Sequence, residues 1–406
     1  MKKKIGNLTV ENNISANYFK KNLYTKDKKK LSKIIKDIYN SIDYKKNNFH
    51  VLSKKFTLNI RKNNLKKFLK YKTVILIGMG GSVLGAQAVY SFLKNKINKN
   101  FIFLDNLDQS KIEQIKKNIN FKDCLFIIIS KSGNTIETLV NCNLFKDKIS
   151  SKNTIIITEA KNNLLNTFAK NKKIIQIDHK DYIGGRYSVL SEVGIIPAYF
   201  MGLKIANLRK KTLSFFKVKQ NLILRETVVK LAHIYNLKKI KTIVLLNYAP
   251  QLNNFLFWCQ QLMAESLGKK GRGIFPAVSL APRDHHSLLQ LYLDGPKDKM
   301  FYIFTLNNKK KMKINNNIFG KIFKFAENKQ LSKVIESQKR ALTKIFIKKK
   351  IPFREFKINS ISEEVLGELF SYFILETALV GKLLGIDPFN QPAVEEVKIL
   401  TKKLLT

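Results

Sequence analysis

The 406-residue sequence predicts an α/β protein of two consecutive doubly wound parallel-sheet domains, with helices on both faces and helical segments at both ends. Three observations carry this reading. Five short apolar runs, at residues 73–77, 101–104, 125–129, 154–157 and 174–177, are separated by stretches long enough for one helix each. A second, less regular series begins near residue 206, with strands expected at 242–246 and 301–305 and a long helix at 254–267 between them. The chain is long enough for two or three cores, and the two series are of similar length.

Taken in order, residues 1–45 are lysine-rich, and the spacing of Leu31, Ile34, Ile35 and Ile38 predicts an N-terminal helical segment. Residues 46–205 hold the five apolar runs and form the first domain. Residues 206–384 form the second, closing in a helix over 363–384 that is apolar on most turns and therefore buried. The lysine-dense stretch 307–350, with its run at 309–311, reads as surface. Residues 385–406 form a C-terminal helical segment.

Composition bounds the function. Hydrophobic residues make up 45% of the chain, which is globular rather than disordered, and no apolar run is long enough to cross a bilayer. The start, MKKKIGNLTVENN, has no apolar signal-peptide stretch, so a soluble, cytoplasmic protein with no membrane partner is expected. The three cysteines, Cys124, Cys142 and Cys259, are far apart and lack CxxC spacing, which suggests buried free thiols rather than disulfides or a metal knuckle. The net charge of +46 invites a nucleic-acid reading. Against it, lysines lie on nearly every segment, accompany abundant Asn and Ile as A/T-rich codons dictate, and no zinc-finger, basic-zipper or RNP-type signature is present. No nucleic-acid partner is expected, although the field can steer a small anion.

Two strand-to-helix loops carry the chemistry. In "FIIISKSGNTIETLVN", residues 126–141, a buried strand ends in Ser130, Lys131, Ser132, Gly133, Asn134 and Thr135 before helical spacing resumes. Hydroxyls, backbone N–H groups and a helix N-terminus meet there, as an anion requires; an ordinary N-cap is the alternative. In "VILIGMGGSVLG", residues 74–85, a strand enters a glycine turn. The dinucleotide pattern fails at Val83 and no Gly-Lys-Ser/Thr follows, leaving a ligand smaller than a dinucleotide or merely structural glycines. Two such loops in one sheet describe a small phosphorylated ligand.

Four further stretches decide between these alternatives: "GGRYSVLSEVG" at 184–194, "QQLMAESLGK" at 260–269, "DHHSLLQLYLDGP" at 284–296 and "FNQPAVEEVK" at 389–398. In this order, after GMGGSVLG and SKSGNTIET, the chain closely resembles the glucose-6-phosphate isomerase family, built from two sugar-isomerase (SIS) domains. The resemblance runs from about residue 70 to 398, and the chain is on the short side for the family. It implies reversible isomerisation of glucose 6-phosphate and fructose 6-phosphate through an enediolate, in glycolysis and gluconeogenesis, by a homodimer that needs no metal or organic cofactor.

That reaction asks for an acid/base pair at the ring oxygen, a carboxylate at carbons 1 and 2, and a cation for the developing oxyanion. The resemblance implies Glu265 as the carboxylate base and Arg186 as the cation facing the enediolate. It implies His286 and Lys398 at ring opening, with Glu137 orienting the histidine, and His286 reaching the site from a second subunit. Ser130, Lys131, Ser132 and Thr135 match the phosphate-holding residues, with help near Gly81 and Ser82; Gln261 and Gln391 match positions that contact sugar hydroxyls. The neighbouring His285 stands where the family usually has Gln, and Asn134 where the commoner loop has Thr. A related subgroup acting also on mannose 6-phosphate shares the Gly-Asn-Thr loop. A sugar-phosphate sensor is the rival reading, but a sensor need not keep Glu265, Arg186, His286 and Lys398 together.

Overall fold

The computed structural model describes residues 2–5, 7–19, 21–59, 62–307, 312–315 and 318–405. It opens with a hairpin, β1 (Lys2–Ile5) and β2 (Leu8–Asn13), followed by helices α1 (Lys21–Ser41) and α2 (Lys62–Lys66). The first alternating series is β3 (Thr73–Gly78), α3 (Leu84–Leu93), β4 (Asn100–Leu104), α4 (Gln109–Asn118), β5 (Cys124–Ile129), α5 (Ile136–Leu144), β6 (Thr154–Thr158), α6 (Leu164–Asn171) and β7 (Ile175–Asp178). Helices α7 (Glu192–Phe200), α8 (Ile205–Arg209) and α9 (Val218–Leu237) lead to the second series. This runs β8 (Thr242–Asn247), α10 (Asn253–Leu267), β9 (Phe275–Leu280), α11 (Leu289–Asp294), β10 (Lys299–Leu306), α12 (Leu331–Lys348) and β11 (Phe353–Ile358), before α13 (Glu363–Leu383) and α14 (Val394–Leu404).

The first sheet has the order β4-β3-β5-β6-β7 and is parallel throughout. Its central strands are runs of Val, Ile, Leu and Phe with no exposure, because helices cover both faces. The strand order reverses beside β3, so the loops after β3 and β5 diverge to opposite faces and leave a crevice at their carboxyl ends. Gly78 is in register with Ile129, which starts both loops at one level.

The second sheet has the order β1-β2-β11-β10-β8-β9. Its four parallel strands repeat the reversal, now beside β8. Where the first sheet has a fifth parallel strand, this one has the antiparallel β2. Strands β1 and β2 therefore correct the expectation of a helical segment over 1–45. Helical spacing holds for α1 alone, whereas Leu8 and Val10 alternate inward to cover the edge of β11.

Helix α13 runs through the middle of the molecule, buried along its length except at Glu364 and Lys382. It packs against α8, α9 and α10, and α10 in turn packs against α3, tying the two sheets together. At Gly367 a Cβ would lie 1.8 Å from the Leu208 carbonyl oxygen, so only glycine allows the α8–α13 approach. Within the lysine-dense stretch, residues 309–311 lie outside the described residues. Helix α12 is not simply surface: Phe346 on its inner face packs against Phe301 and Phe353. Among the described residues, no helix is long and apolar enough to cross a membrane.

Candidate active site

The loop after β5 is built to leave donors unspent. Ser130 Oγ lies 2.9 Å from Thr135 Oγ1 and accepts from the Gly133 N–H at 3.2 Å, which curls residues 130–135 into the start of α5. Gly133 has φ +68°, and a Cβ there would meet Asn163 Oδ1 at 1.9 Å, so the turn admits no side chain at that point. The backbone N–H groups of Lys131, Ser132 and Thr135 have no partner among the described residues. With the first-turn amides of α5 they form an anion cradle. The Lys131 ammonium turns aside, donating to the Asp181 carbonyl at 2.7 Å and pairing with Glu159 at 3.6 Å. Its pKa falls below the ordinary lysine value because burial outweighs Glu159. Lys131 therefore offers the loop its backbone and a nearby field rather than a direct ammonium contact.

Behind this loop His179 follows β7 and is 2% exposed, with Nε2 unpartnered. Burial, and secondarily the Lys131 charge, push its pKa down to about 4. The unfolded chain takes up this proton near the ordinary value of 6.5 and the folded chain does not. The stability held by neutral His179 is thus complete above pH about 6.5 and lost as pH falls to about 4, up to about 3 kcal/mol. In urea titrations from pH 7 to 4, His179→Asn is expected to show a flatter stability profile than the native chain; parallel profiles would refute the assignment.

The glycine turn after β3 connects the anion cradle to the remaining site residues. A Cβ on Gly81 would lie 2.4 Å from the Gly185 carbonyl oxygen and 2.6 Å from the Arg186 nitrogen, and one on Gly80 would lie 2.7 Å from Gln261 Nε2. The turn is thus wedged against the 3₁₀ segment 185–190 and against α10. Ser82, whose N–H closes the turn onto the Met79 carbonyl at 3.0 Å, stands beside it.

Arg186 is 2% exposed yet fully engaged. Its Nε donates to Ser266 Oγ at 2.9 Å, Nη1 to Glu265 Oε2 at 3.2 Å and Gln391 Oε1 at 2.7 Å, and Nη2 to the carbonyls of Pro388 and Asn390 at 2.6 and 3.0 Å. A buried guanidinium survives only with such saturation, and its fork is fixed by it. Gln261, one helical turn before Glu265, donates Nε2 to the other carboxylate oxygen at 2.8 Å. The Glu265 side chain keeps 30% exposure and lies between two cavities. One, of ≈ 490 Å³, is lined by Gln87, Asp105, Asn254 and Gln261; the other, of ≈ 570 Å³, by Lys269, Arg272, Asn390 and Gln391. A carboxylate so placed is reachable, lies beside a cation, and is able to take and return a proton.

The structure therefore brings together Gly81, Ser82, Ser130, Ser132, Thr135, Arg186, Gln261, Glu265 and Gln391. Glu137, in the first turn of α5, is half-buried and pairs with no cation among the described residues. His286 and Lys398 are not brought to Glu265 within this chain. Glu265 ends α10 at the amino edge of the second sheet, and β9 then carries the chain six residues, about 20 Å, to the opposite edge before His286. Lys398 sits on α14, which buries no residue, and its Nζ pairs with Glu395 at 2.6 Å. Sequence reasoning passed over Ser266 and Tyr187, although both stand inside quoted motifs; Tyr187 Oη lies 2.8 Å from Ser266 Oγ and completes the Arg186 mount.

Residues 23–278 match the family model for phosphoglucose isomerase. The chain is 33% identical over 359 residues to glucose-6-phosphate isomerase of Methanocaldococcus jannaschii, covering 84% of this chain and 87% of that one. It is 32% identical over 353 residues to the Campylobacter jejuni glucose-6-phosphate isomerase, covering 82% and 85%. The crystal structure of a glucose-6-phosphate isomerase from Chlamydia trachomatis shares the fold, with TM-score 0.80 over 100% of this chain and 89% of that one at 17% identity. Two doubly wound sheets with repeated reversals, the second with antiparallel strands at one edge, form a tandem SIS architecture, and the matches place it in the class of sugar-phosphate isomerases. Within that class the chain belongs to the phosphoglucose isomerase family.

Proposed function

We propose that the chain interconverts glucose 6-phosphate and fructose 6-phosphate through an enediolate, with the residues of the cluster in named roles. The observation that carries the reading is the Arg186–Glu265–Gln261 contact beside the two anion-loop ends. The phosphate rests on the 130–135 loop, held by Ser130, Ser132 and Thr135 and by the amides near Gly81 and Ser82. Glu265 takes the proton from carbon 2 of the open-chain aldose and returns it to carbon 1. The Arg186 guanidinium, fixed before substrate arrives, stabilises the oxyanion that forms between those events. Gln261 and Gln391 hold sugar hydroxyls.

Ring opening falls to His286 of a second copy, oriented by Glu137, because its own turn lies at the far edge of the second sheet. The working protein is on this reading a cytoplasmic C2 homodimer with two shared sites. Lys398 assists there once α14 folds over the site; the exposed Val394, Val397, Leu400 and Leu404 give that helix an apolar side to bury.

Two assays test this. Purified protein is expected to convert fructose 6-phosphate to glucose 6-phosphate in a dehydrogenase-coupled assay, with mannose 6-phosphate run in parallel to separate narrow from dual specificity. No turnover of either by a folded dimer would leave a sensor. Co-expression of Glu265→Gln with His286→Ala chains is expected to restore activity, since a heterodimer holds one intact site in two. Failure to restore would return His286 to its own chain.

A further inference from the structure

The turn between β9 and α11 is more tightly built than an exposed loop requires. Asp284, 7% exposed, accepts from Ser279 Oγ at 3.0 Å, from the Leu280 N–H at 2.7 Å and from Arg283 Nε at 2.9 Å. Its own carbonyl accepts from the Leu288 N–H at 2.8 Å, and the His285 N–H donates to the Pro282 carbonyl at 3.0 Å. One side chain thus ties the end of β9 to a single turn of 3₁₀ helix, residues 283–286.

The two histidines of that turn face different ways. His285 Nε2 lies 2.8 Å from Tyr248 Oη, and the rings meet edge to face at 5.6 Å. Tyr248 is 4% exposed at the end of β8, where its N–H donates to the Phe304 carbonyl at 2.9 Å. Successive residues of a 3₁₀ turn point about 120° apart. Fixing His285 against its own sheet therefore turns His286 outward, where it is exposed and has no hydrogen-bond or ion-pair partner among the described residues.

We infer that Tyr248, through His285, and Asp284, through the turn backbone, are positioning residues that aim His286 out of its own fold and into the site of a second copy. This rests on the proposed trans role of His286. None of the three touches substrate. They convert a flexible loop histidine into one presented at a fixed angle, and the cost of losing that aim appears in turnover rather than in substrate affinity.

The test begins with Tyr248→Phe, which removes only the hydroxyl. We expect kcat to fall roughly ten- to hundredfold, with the KM for fructose 6-phosphate, the dimer and the unfolding midpoint unchanged. His285→Leu is expected to reproduce the loss, and His285→Gln, whose amide can still meet Tyr248 Oη, to recover most of the rate. Unchanged kcat in both Tyr248→Phe and His285→Leu overturns the inference. Heterodimers of Tyr248→Phe with Glu265→Gln chains locate the effect. They pair an intact Glu265 with a properly held partner histidine, so one site in two is expected to turn over at the native rate. If that site stays slow, Tyr248 acts within its own chain and the positioning role fails. The Glu265→Gln with His286→Ala mixture separately reports the trans arrangement, so failure of that reading is distinguishable from failure of this one.

Discussion

Glu265→Gln is expected to lower kcat by roughly 10²- to 10⁴-fold while binding of 6-phosphogluconate, measured by calorimetry, stays close to native. The substitution keeps shape and removes basicity. The local structure can absorb it: Gln261 Oε1 is buried without a partner, and rotation of that amide presents an acceptor to the new NH₂ group. Arg186 keeps its bonds to Ser266, Gln391 and the 388 and 390 carbonyls, so its fork is not released. A near-native kcat in this variant would transfer the proton to another group, and loss of 6-phosphogluconate binding would mean that the carboxylate is part of the scaffold.

The largest expected stability effect lies elsewhere. Arg354, with no exposure, donates Nη1 and Nη2 to both oxygens of Glu376 at 2.9 and 2.8 Å, Nη2 also to Tyr372 Oη at 2.6 Å, and Nε to Asn12 Oδ1 at 2.9 Å. Burial opposes the charge, but Glu376 and the nearby Tyr372 and Tyr302 hold the guanidinium well above its ordinary pKa. Glu376→Ala leaves that cation buried and unpaired, at a cost of about 3–5 kcal/mol, read from chemical denaturation. The double variant Arg354→Met, Glu376→Leu is expected to recover most of it, since hydrophobic replacement of a whole buried pair is often neutral. A loss below about 1 kcal/mol in the single variant would mean that water reaches the site.

The first sheet was legible because β3, β5 and β6 are unbroken apolar runs buried on both faces, a signal that polar neighbours cannot imitate. The second was half hidden. Strand β9 carries Pro276, which a strand tolerates here because β9 is an edge with β8 on one side only. Strand β11, FREFKI, alternates correctly, but one of its inward residues is Arg354, which reads as surface until Glu376 is seen beneath it. The β1–β2 hairpin is short and lysine-rich, with only Leu8 and Val10 shown to be buried. In the site, the ordered motifs contain Arg186, Gln261, Glu265 and Gln391, which the structure brings into contact. Ser266 and Tyr187 went unremarked because their hydroxyls matter only once the buried guanidinium is seen against them. The motifs did not convey that the Lys131 ammonium turns to Glu159, nor which of two adjacent histidines is anchored, because both depend on partners distant in sequence.

The antiparallel place of β2 also governs when the second sheet can be finished. Val10 pairs with Phe356, so β2, which precedes the whole first sheet, must wait for β11, which follows every other strand described. The first sheet needs nothing beyond β7 for its own ladder and can close while the second is still emerging. The β1–β2 hairpin then has no neighbour in its sheet until β11 appears. Closure of so distant a contact is slow in relation to local folding. The opening residues thus act as the final seal of the C-terminal half, and a block to their docking leaves β11 as an open edge that can capture another strand.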